Sequence, residues 1–190
     1  MRYRINIEFG YIEGSSYSDE METDAYDSIS IHLAAYEDAN LIGTMRIIPD
    51  SQLGFPMEKE FEIVVPPDYI RKARFCEISR LNMDSSGDPM HRATLGLIKT
   101  AKDICLHRNI SLCYFAVDSR VWRMFVRLRF GLVQMGHIKM YMGSPCIPAF
   151  VNVTSWLEHL ENTGHRLAPF LSSSLTQGIA GFEWYNRMEA

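Results

Sequence analysis

With 190 residues and 47% hydrophobic content, the chain is long enough for one domain with a sizeable core. A net charge of −4 excludes a nucleic-acid binder that works through bulk positive charge. The N-terminal MRYRINIEFGYIEG scatters charges among its apolar positions, and nowhere do apolar residues run to the ~18 needed to cross a membrane. Neither export nor insertion is signalled, and a cytoplasmic location is expected. Cys76, Cys105, Cys113 and Cys146 follow no C-x-x-C spacing, and three of them lie in apolar stretches where free cysteine acts as a small hydrophobe. Six histidines are dispersed without an H-x-x-x-H pair, so no metal site is expected.

The first clear element is SISIHLAAY (28–36), which alternates as a strand. LIGTMRIIP (41–49) is a second, and the turn over Glu37 to Asn40 makes the two a hairpin. Residues 50–73 read as a Pro-containing connector with an extended piece, FEIVVPP. FCEISRLNMD (75–84) is a third strand. RATLGLIKTAKDICLHRN (92–109) has Leu97, Ala101 and Ile104 or Cys105 at helical spacing, which predicts an amphipathic helix with Lys99, Lys102 and Asp103 outside. ISLCYFAVD (110–118) is nearly continuous in apolar residues, as in a strand buried on both faces. A second helix starts near Asp118 or Ser119, with Val121, Phe125 and Leu128 on one side and Arg120, Arg123 and Arg127 on another. FGLVQMGHIKMYMG gives one or two more strands, and Ser155 with Glu158 reads as the capping box of a C-terminal helix. This order predicts an α+β fold, a mixed sheet with flanking helices.

The third strand poses a problem. Glu77 and Arg80 lie three apart, so on a regular strand they point to opposite faces and each charge is isolated. Isolated buried charges are costly, and a β-bulge, which resets the alternation, would bring the two to one side. Asp24 and Asp27 flank the start of the first strand and Arg46 lies in its partner. Three carboxylates can thus face two or three guanidinium groups, either as an ion-pair network closing one end of the sheet or as a reactive cleft. Arg120, Arg123 and Arg127 are open to the simpler reading of a solvated helix face. No G-x-S-x-G nucleophile elbow occurs.

The succession RYRINIEFGY, DAYDS, LIGTMRIIP, CEISRL, RVWRMFVRLRFGLVQMG and YMGSPCIP resembles the autoinducer-synthase-like N-acyltransferases of the GNAT superfamily. Within that group the chain is most similar to long-chain N-acyl amino acid synthases of the N-acyltyrosine synthase type from soil bacteria, over about residues 2–150. The resemblance implies a GNAT-like acyl-CoA N-acyltransferase fold, with a mixed central sheet, a bulged strand and flanking helices. It also implies a single domain over 1–190 with a C-terminal helical extension, 151–190. The family's charged cleft maps onto Arg2, Asp24, Asp27, Arg46, Glu77 and Arg80, with Ser79 beside the candidate base Glu77. Glu77 would take a proton from the ammonium of an amino acid, tyrosine first among them, or orient it, while Arg46 or Arg80 grips the carboxylate. Where these proteins usually carry an aromatic residue four after the first arginine, this chain has Asn6. The family's usual preceding helix is expected to be shortened or missing. Alternatives are an acyl-homoserine lactone synthase using S-adenosylmethionine, or a catalytically silent acyl-carrier or lipid-binding module.

GNAT enzymes that use coenzyme A usually carry a glycine-rich turn that holds the pyrophosphate on backbone N–H groups. The corresponding DSSGDPMHRATLGL has Arg92 and Gly96 but lacks the glycine pair. The expected donor is therefore an acyl-phosphopantetheine thioester on acyl carrier protein, with no bound cofactor. Such an acidic carrier needs a basic surface, and Arg120, Arg123 and Arg127 recur along one stripe of a helix, with Arg129 close by.

Overall fold

The computed structural model describes residues 1–64, 73–84 and 92–173. Helix α1 (Arg2–Glu8), short and without a capping signal, buries Ile5 and Asn6. β1 (Ile31–Glu37) and β2 (Asn40–Pro49) form the predicted antiparallel hairpin. The connector contains a helix the sequence pattern hides, α2 (Pro56–Glu60). Pro56 at its first position has no N–H to leave unbonded, and the Glu58 carboxylate accepts from the Phe55 N–H at 3.3 Å. Only Phe61–Val64 of the extended FEIVVPP piece is described, and the DSSGDPMH turn falls largely outside the described residues.

β3 (Phe75–Met83) is followed by α3 (Arg92–His107), then β4 (Leu112–Asp118) and α4 (Ser119–Arg127), whose first turn is capped by the Asp118 carboxylate. Two short strands, β5 (Val133–Gln134) and β6 (Lys139–Tyr141), precede β7 (Ser144–Asn152). α5 (Val153–Asn162) and α6 (Ala168–Ser172) follow. The described strands form one seven-stranded sheet in the order β1-β2-β3-β4-β7-β5, with β6 also on β7. β3 and β4 are its parallel pair, and the remaining neighbours are antiparallel.

Both faces of the sheet are covered. One core joins Met45, Ile47, Cys76 and Cys113 to Leu97, Ala101 and Cys105 of α3, Trp156 and Leu160 of α5 and Leu171 of α6. The other joins Ile48, Leu112, Tyr114 and Phe150 to Phe55, Met57 and Phe61 around α2. Neighbours such as Leu112 and Cys113 enter opposite cores, which is why β4 reads as a continuous apolar run. Truncating a fully buried leucine such as Leu97 or Leu112 to alanine costs about 2–5 kcal/mol.

One strand was not foreseen, and two expectations are corrected. β7 extends the sheet through Pro145 and Pro148, residues that ordinarily argue against a strand. Pro148 is tolerated because it lies between the stretch of β7 paired with β6 and the stretch paired with β5. α5 starts at Val153 and is capped by Asn152, whose side chain accepts from the Ser155 N–H at 3.1 Å, so Ser155 lies inside the helix rather than at its cap. Lys99 and Lys102 are buried rather than outside. Both pair with Asp103, Lys99 also donates to the Ser173 carbonyl, and the Lys99 ammonium lies over the Phe170 ring.

Two features of this layout position the site. β4 pairs with β7 along its whole length, from Leu112–Asn152 to Asp118–Cys146. Its ladder with β3 holds only three pairs and ends at Glu77–Tyr114. The sheet is therefore open between β3 and β4 beyond Glu77.

Candidate active site

The bulge demanded by Glu77 and Arg80 is present. Thr44 pairs with Asn82 and Arg46 with Ser79, so Arg80 and Leu81 together oppose Met45 alone. Arg80 sits at φ 54°, in the left-handed region that a non-glycine residue occupies only when its surroundings enforce it. Glu77 pairs with Ile48 and Ser79 with Arg46, two positions apart on β2, and the Ser79 hydroxyl accepts from Arg46 Nε at 3.1 Å. Past the bulge, Arg80 turns to Asp24, which Arg46 also binds. All three side chains thus share one face.

The arginines on this face are paired with carboxylates of the acidic loop. Arg46, almost fully buried, donates to Asp24 at 2.7 and 3.0 Å and to Asp27 at 2.8 Å. Arg2 bridges Glu22 and Asp27, each at 2.7 Å. Arg80 binds Glu22 at 2.7 Å and reaches Asp24 at 3.4 Å. Burial alone would raise Asp24 and Asp27. The bonds from Arg46 to Asp24, and from Arg2, Arg46 and the Asp24 N–H to Asp27, outweigh it and hold both carboxyls below their ordinary range. Glu22, which links Arg2 to Arg80, carries no sequence signal, because it sits among Asp19, Glu20 and Asp24 in a stretch that reads as a solvated loop.

Glu77 differs from these groups. It is 2% exposed and makes no ion pair among the described residues, and its carboxylate accepts the Met57 N–H in the first turn of α2 at 2.8 Å. Burial pushes it up to about 7 and the Glu58 charge adds to that, while the Met57 bond and the charges of Arg46 and Arg80 pull the other way. A carboxylate poised near neutrality is suited to moving a proton. The Met57 contact was hidden with α2 in the connector.

A cavity of about 250 Å³ passes this wall. Glu77, Ser79, Arg80 and Asn82 line it, with Asn6 and Tyr11 from α1 and the segment after it, and Tyr141 and Met142 from the β6–β7 turn. It continues past Phe115 and Val117 of β4 into the helix-side core, where Met45, Ile98, Val121, Phe125, Phe130 and Trp156 enclose it. The cavity thus joins a charged end on one side of the sheet to an apolar end on the other, through the opening between β3 and β4. Arg2, Asp24, Asp27 and Arg46 do not line it. They belong to the ion-pair network beside Arg80, whose own Nη1 reaches the cavity wall and donates to the Met142 thioether at 3.1 Å. Met142 and Gly143 both have positive φ, as a two-residue hairpin between Tyr141 and Ser144 requires. A Cβ on Gly143 would collide with the Gly10 carbonyl.

The arginines of α4 lie apart from this cluster. Arg120, Arg123 and Arg127 are exposed beside Met124, and Arg120 is bound to the Asp118 carboxylate at 2.9 Å. Arg123 and Arg127 have no carboxylate partner among the described residues. No described helix is long and apolar enough to cross a membrane.

No curated protein matches the chain in sequence. Among solved structures it is similar to FeeM, an N-acyl amino acid synthase from uncultured soil microbes, at 20% identity and a TM-score of 0.61, over 89% of this chain and 90% of that one. It is also similar to BjaI, a CoA-dependent acyl-homoserine lactone synthase (19% identity, TM-score 0.63, 87% and 79% covered). An acyl-CoA N-acyltransferase from Pseudomonas aeruginosa shares the fold more distantly (16%, 0.52, 79% and 87%). These likenesses establish the GNAT-like α+β fold. The model of the N-acyl amino acid synthase FeeM matches residues 1–151, and on that match the chain belongs to the N-acyl amino acid synthase family and is an N-acyltransferase.

Proposed function

We propose that the enzyme moves a long-chain fatty acyl group from acyl carrier protein to the α-amino group of an amino acid, with tyrosine the first candidate. The observation that carries this reading is the cavity that crosses the sheet, charged at the Glu77–Arg80 end and apolar at the other. An acyl chain laid in the apolar half gains about 0.8 kcal/mol per buried methylene, and its thioester carbon then lies at the gap between β3 and β4. The amino acid enters the charged half. Its carboxylate displaces the Met142 thioether from Arg80 Nη1, and Tyr11 and Tyr141 offer ring surface to an aromatic side chain.

Glu77 takes a proton from the ammonium, directly or through water beside Ser79. The freed amine attacks the thioester carbon, a C–N bond forms and the C–S bond breaks. The attacking nitrogen sheds its second surplus proton to solvent as the amide forms, and the proton on Glu77 passes to the departing thiolate, so the enzyme returns to its starting state. Backbone N–H groups along the open edge of the bulged strand are the candidate donors to the tetrahedral oxyanion. Choice of carrier protein as donor is supported by the exposed Arg123 and Arg127 on α4, which have no carboxylate partner among the described residues.

The test is to incubate the purified enzyme with acyl carrier protein charged with chains of graded length and with each of the twenty amino acids, then assay products by mass spectrometry. An N-acyl amino acid with release of carrier thiol is the expected result. Exclusive use of acyl-coenzyme A would overturn the donor assignment. An acyl-homoserine lactone formed from S-adenosylmethionine would overturn the acceptor, and binding of charged carrier without turnover would reassign the chain as a silent module.

A further inference from the structure

Three cysteines that no sequence spacing relates are brought together at the inner wall of the cavity. Cys76 of β3 and Cys113 of β4 are register partners in the parallel pair, and Cys105 of α3 packs over both. The Sγ–Sγ separations are 3.5 Å for Cys76–Cys113, 3.5 Å for Cys105–Cys113 and 3.8 Å for Cys76–Cys105. All three are free and buried. Zinc–thiolate bonds of about 2.3 Å in tetrahedral geometry place sulfurs about 3.8 Å apart, so this triangle fits one face of such a site with little movement. Cys105 and Cys113 also line the cavity, which supplies an entry path and leaves a fourth coordination position facing open space.

Charge provides an independent indication. Three thiolates around a divalent ion carry a net charge of −1, which an apolar core does not accept unbalanced. On α3, the buried Lys99 and Lys102 share one carboxylate partner, Asp103, among the described residues, which leaves one positive charge in excess there. Lys102 lies three residues before Cys105, which puts both on one side of the helix, and Lys102 lines the same cavity.

We propose that Cys76, Cys105 and Cys113 form a three-thiolate site for one soft divalent ion of the zinc or cadmium type, with its fourth position open to the cavity. Binding is not a redox step. Each thiol gives its proton to solvent and its sulfur lone pair to the ion, so three protons leave per ion and affinity rises with pH.

Cadmium alone, titrated into the reduced, metal-free full-length protein, tests this. A thiolate-to-cadmium absorption in the near ultraviolet should rise to a plateau at one equivalent, with release of three protons per ion and a raised Tm. Cys105→Ala should abolish all three signals, whereas Cys146→Ala, which removes the one cysteine outside the cluster, should retain them. Because Cys105→Ala opens a space in the core, the proton count on the unaltered protein stands as a separate measurement. Absence of the band, release of fewer than three protons, or loss of the band in Cys146→Ala alone would overturn the site.

Discussion

Glu77 and Glu22 are both buried glutamates beside Arg80, and the protein treats them in opposite ways. Glu22 is clamped between Arg2 and Arg80. Glu77 has a single backbone N–H, from Met57, and its carboxyl is raised to about 7. The bulge allows both outcomes within a few residues, since it turns Arg80 toward the acidic loop and leaves Glu77 facing α2 and the cavity. Proximity to an arginine is therefore not enough to hold a carboxyl low: burial raises Glu77 although Arg46 and Arg80 lie nearby, whereas direct bonds from Arg46 and Arg2 hold Asp24 and Asp27 down. One group fixes the geometry and the other is left able to exchange a proton.

The sharpest way to break this contrast is to remove the clamp. Glu22→Ala leaves Arg80 with Asp24, at 3.4 Å, as its one carboxylate partner among the described residues, and leaves Arg2 with Asp27. Losing one member of a buried pair costs about 3–5 kcal/mol, so chemical denaturation should show a loss of that size. An unchanged midpoint would mean that the network is solvated and contributes little.

The pH dependence of stability separates the two kinds of carboxylate next. Glu77 has a raised folded pKa, so the native state holds its proton more tightly than the unfolded chain. Its contribution is fully present below the ordinary value of 4.5 and is lost as pH rises to about 7, by roughly 3 kcal/mol. Asp24 and Asp27, which are lowered, add stability above the ordinary carboxylate range and lose it as pH falls below. Glu77→Gln should therefore flatten the decline between pH 5 and 7 and leave the acid limb intact. Parallel curves for the two proteins would show that Glu77 does not titrate there.

The same substitution addresses chemistry. Glu77→Gln keeps the shape and can still accept the Met57 N–H, so the fold should persist while kcat falls about 100-fold or more. In the parent enzyme kcat should climb with pH through about 7 as Glu77 loses its proton. Normal turnover by the variant would leave Glu77 a structural residue.

The legible and illegible parts of this contrast have physical causes. The hairpin, β3, α3 and β4 follow from their apolar periodicity, and the bulge follows from two charges three apart on a strand that needed burial. β7 was hidden by its prolines, because strand propensity cannot foresee that β5 and β6 are short enough to leave Pro148 without a partner strand on the side away from β4. α1 and α2 were hidden by their length, seven and five residues, too few to display a period. The charged residues of the site were named by type, but their pairing depends on the acidic loop and α2. Glu22 and the Met57 N–H therefore emerged only once the chain was folded.

The smallest expected effect extends the contrast from carboxylates to arginines. Arg46 and Arg80 are held within the fold, whereas Arg123 and Arg127 project from α4 beside the exposed Met124. Arg120 stands between these cases, since Asp118 both caps the helix and binds its guanidinium at 2.9 Å. An acidic carrier protein should find Arg120 already neutralised in part and should draw chiefly on the other two. Exposed ion pairs are weak, so Arg123→Ala with Arg127→Ala should lower kcat/KM for the charged carrier by about 2- to 30-fold, less at high salt, and Arg120→Ala by less than either. Activity with a minimal acyl-pantetheine thioester should stay unchanged in all three, because nothing in that donor reaches the outer face of α4. Equal losses with both donors would mean that the helix acts through the cavity wall it also supplies, at Val121 and Phe125, rather than through docking.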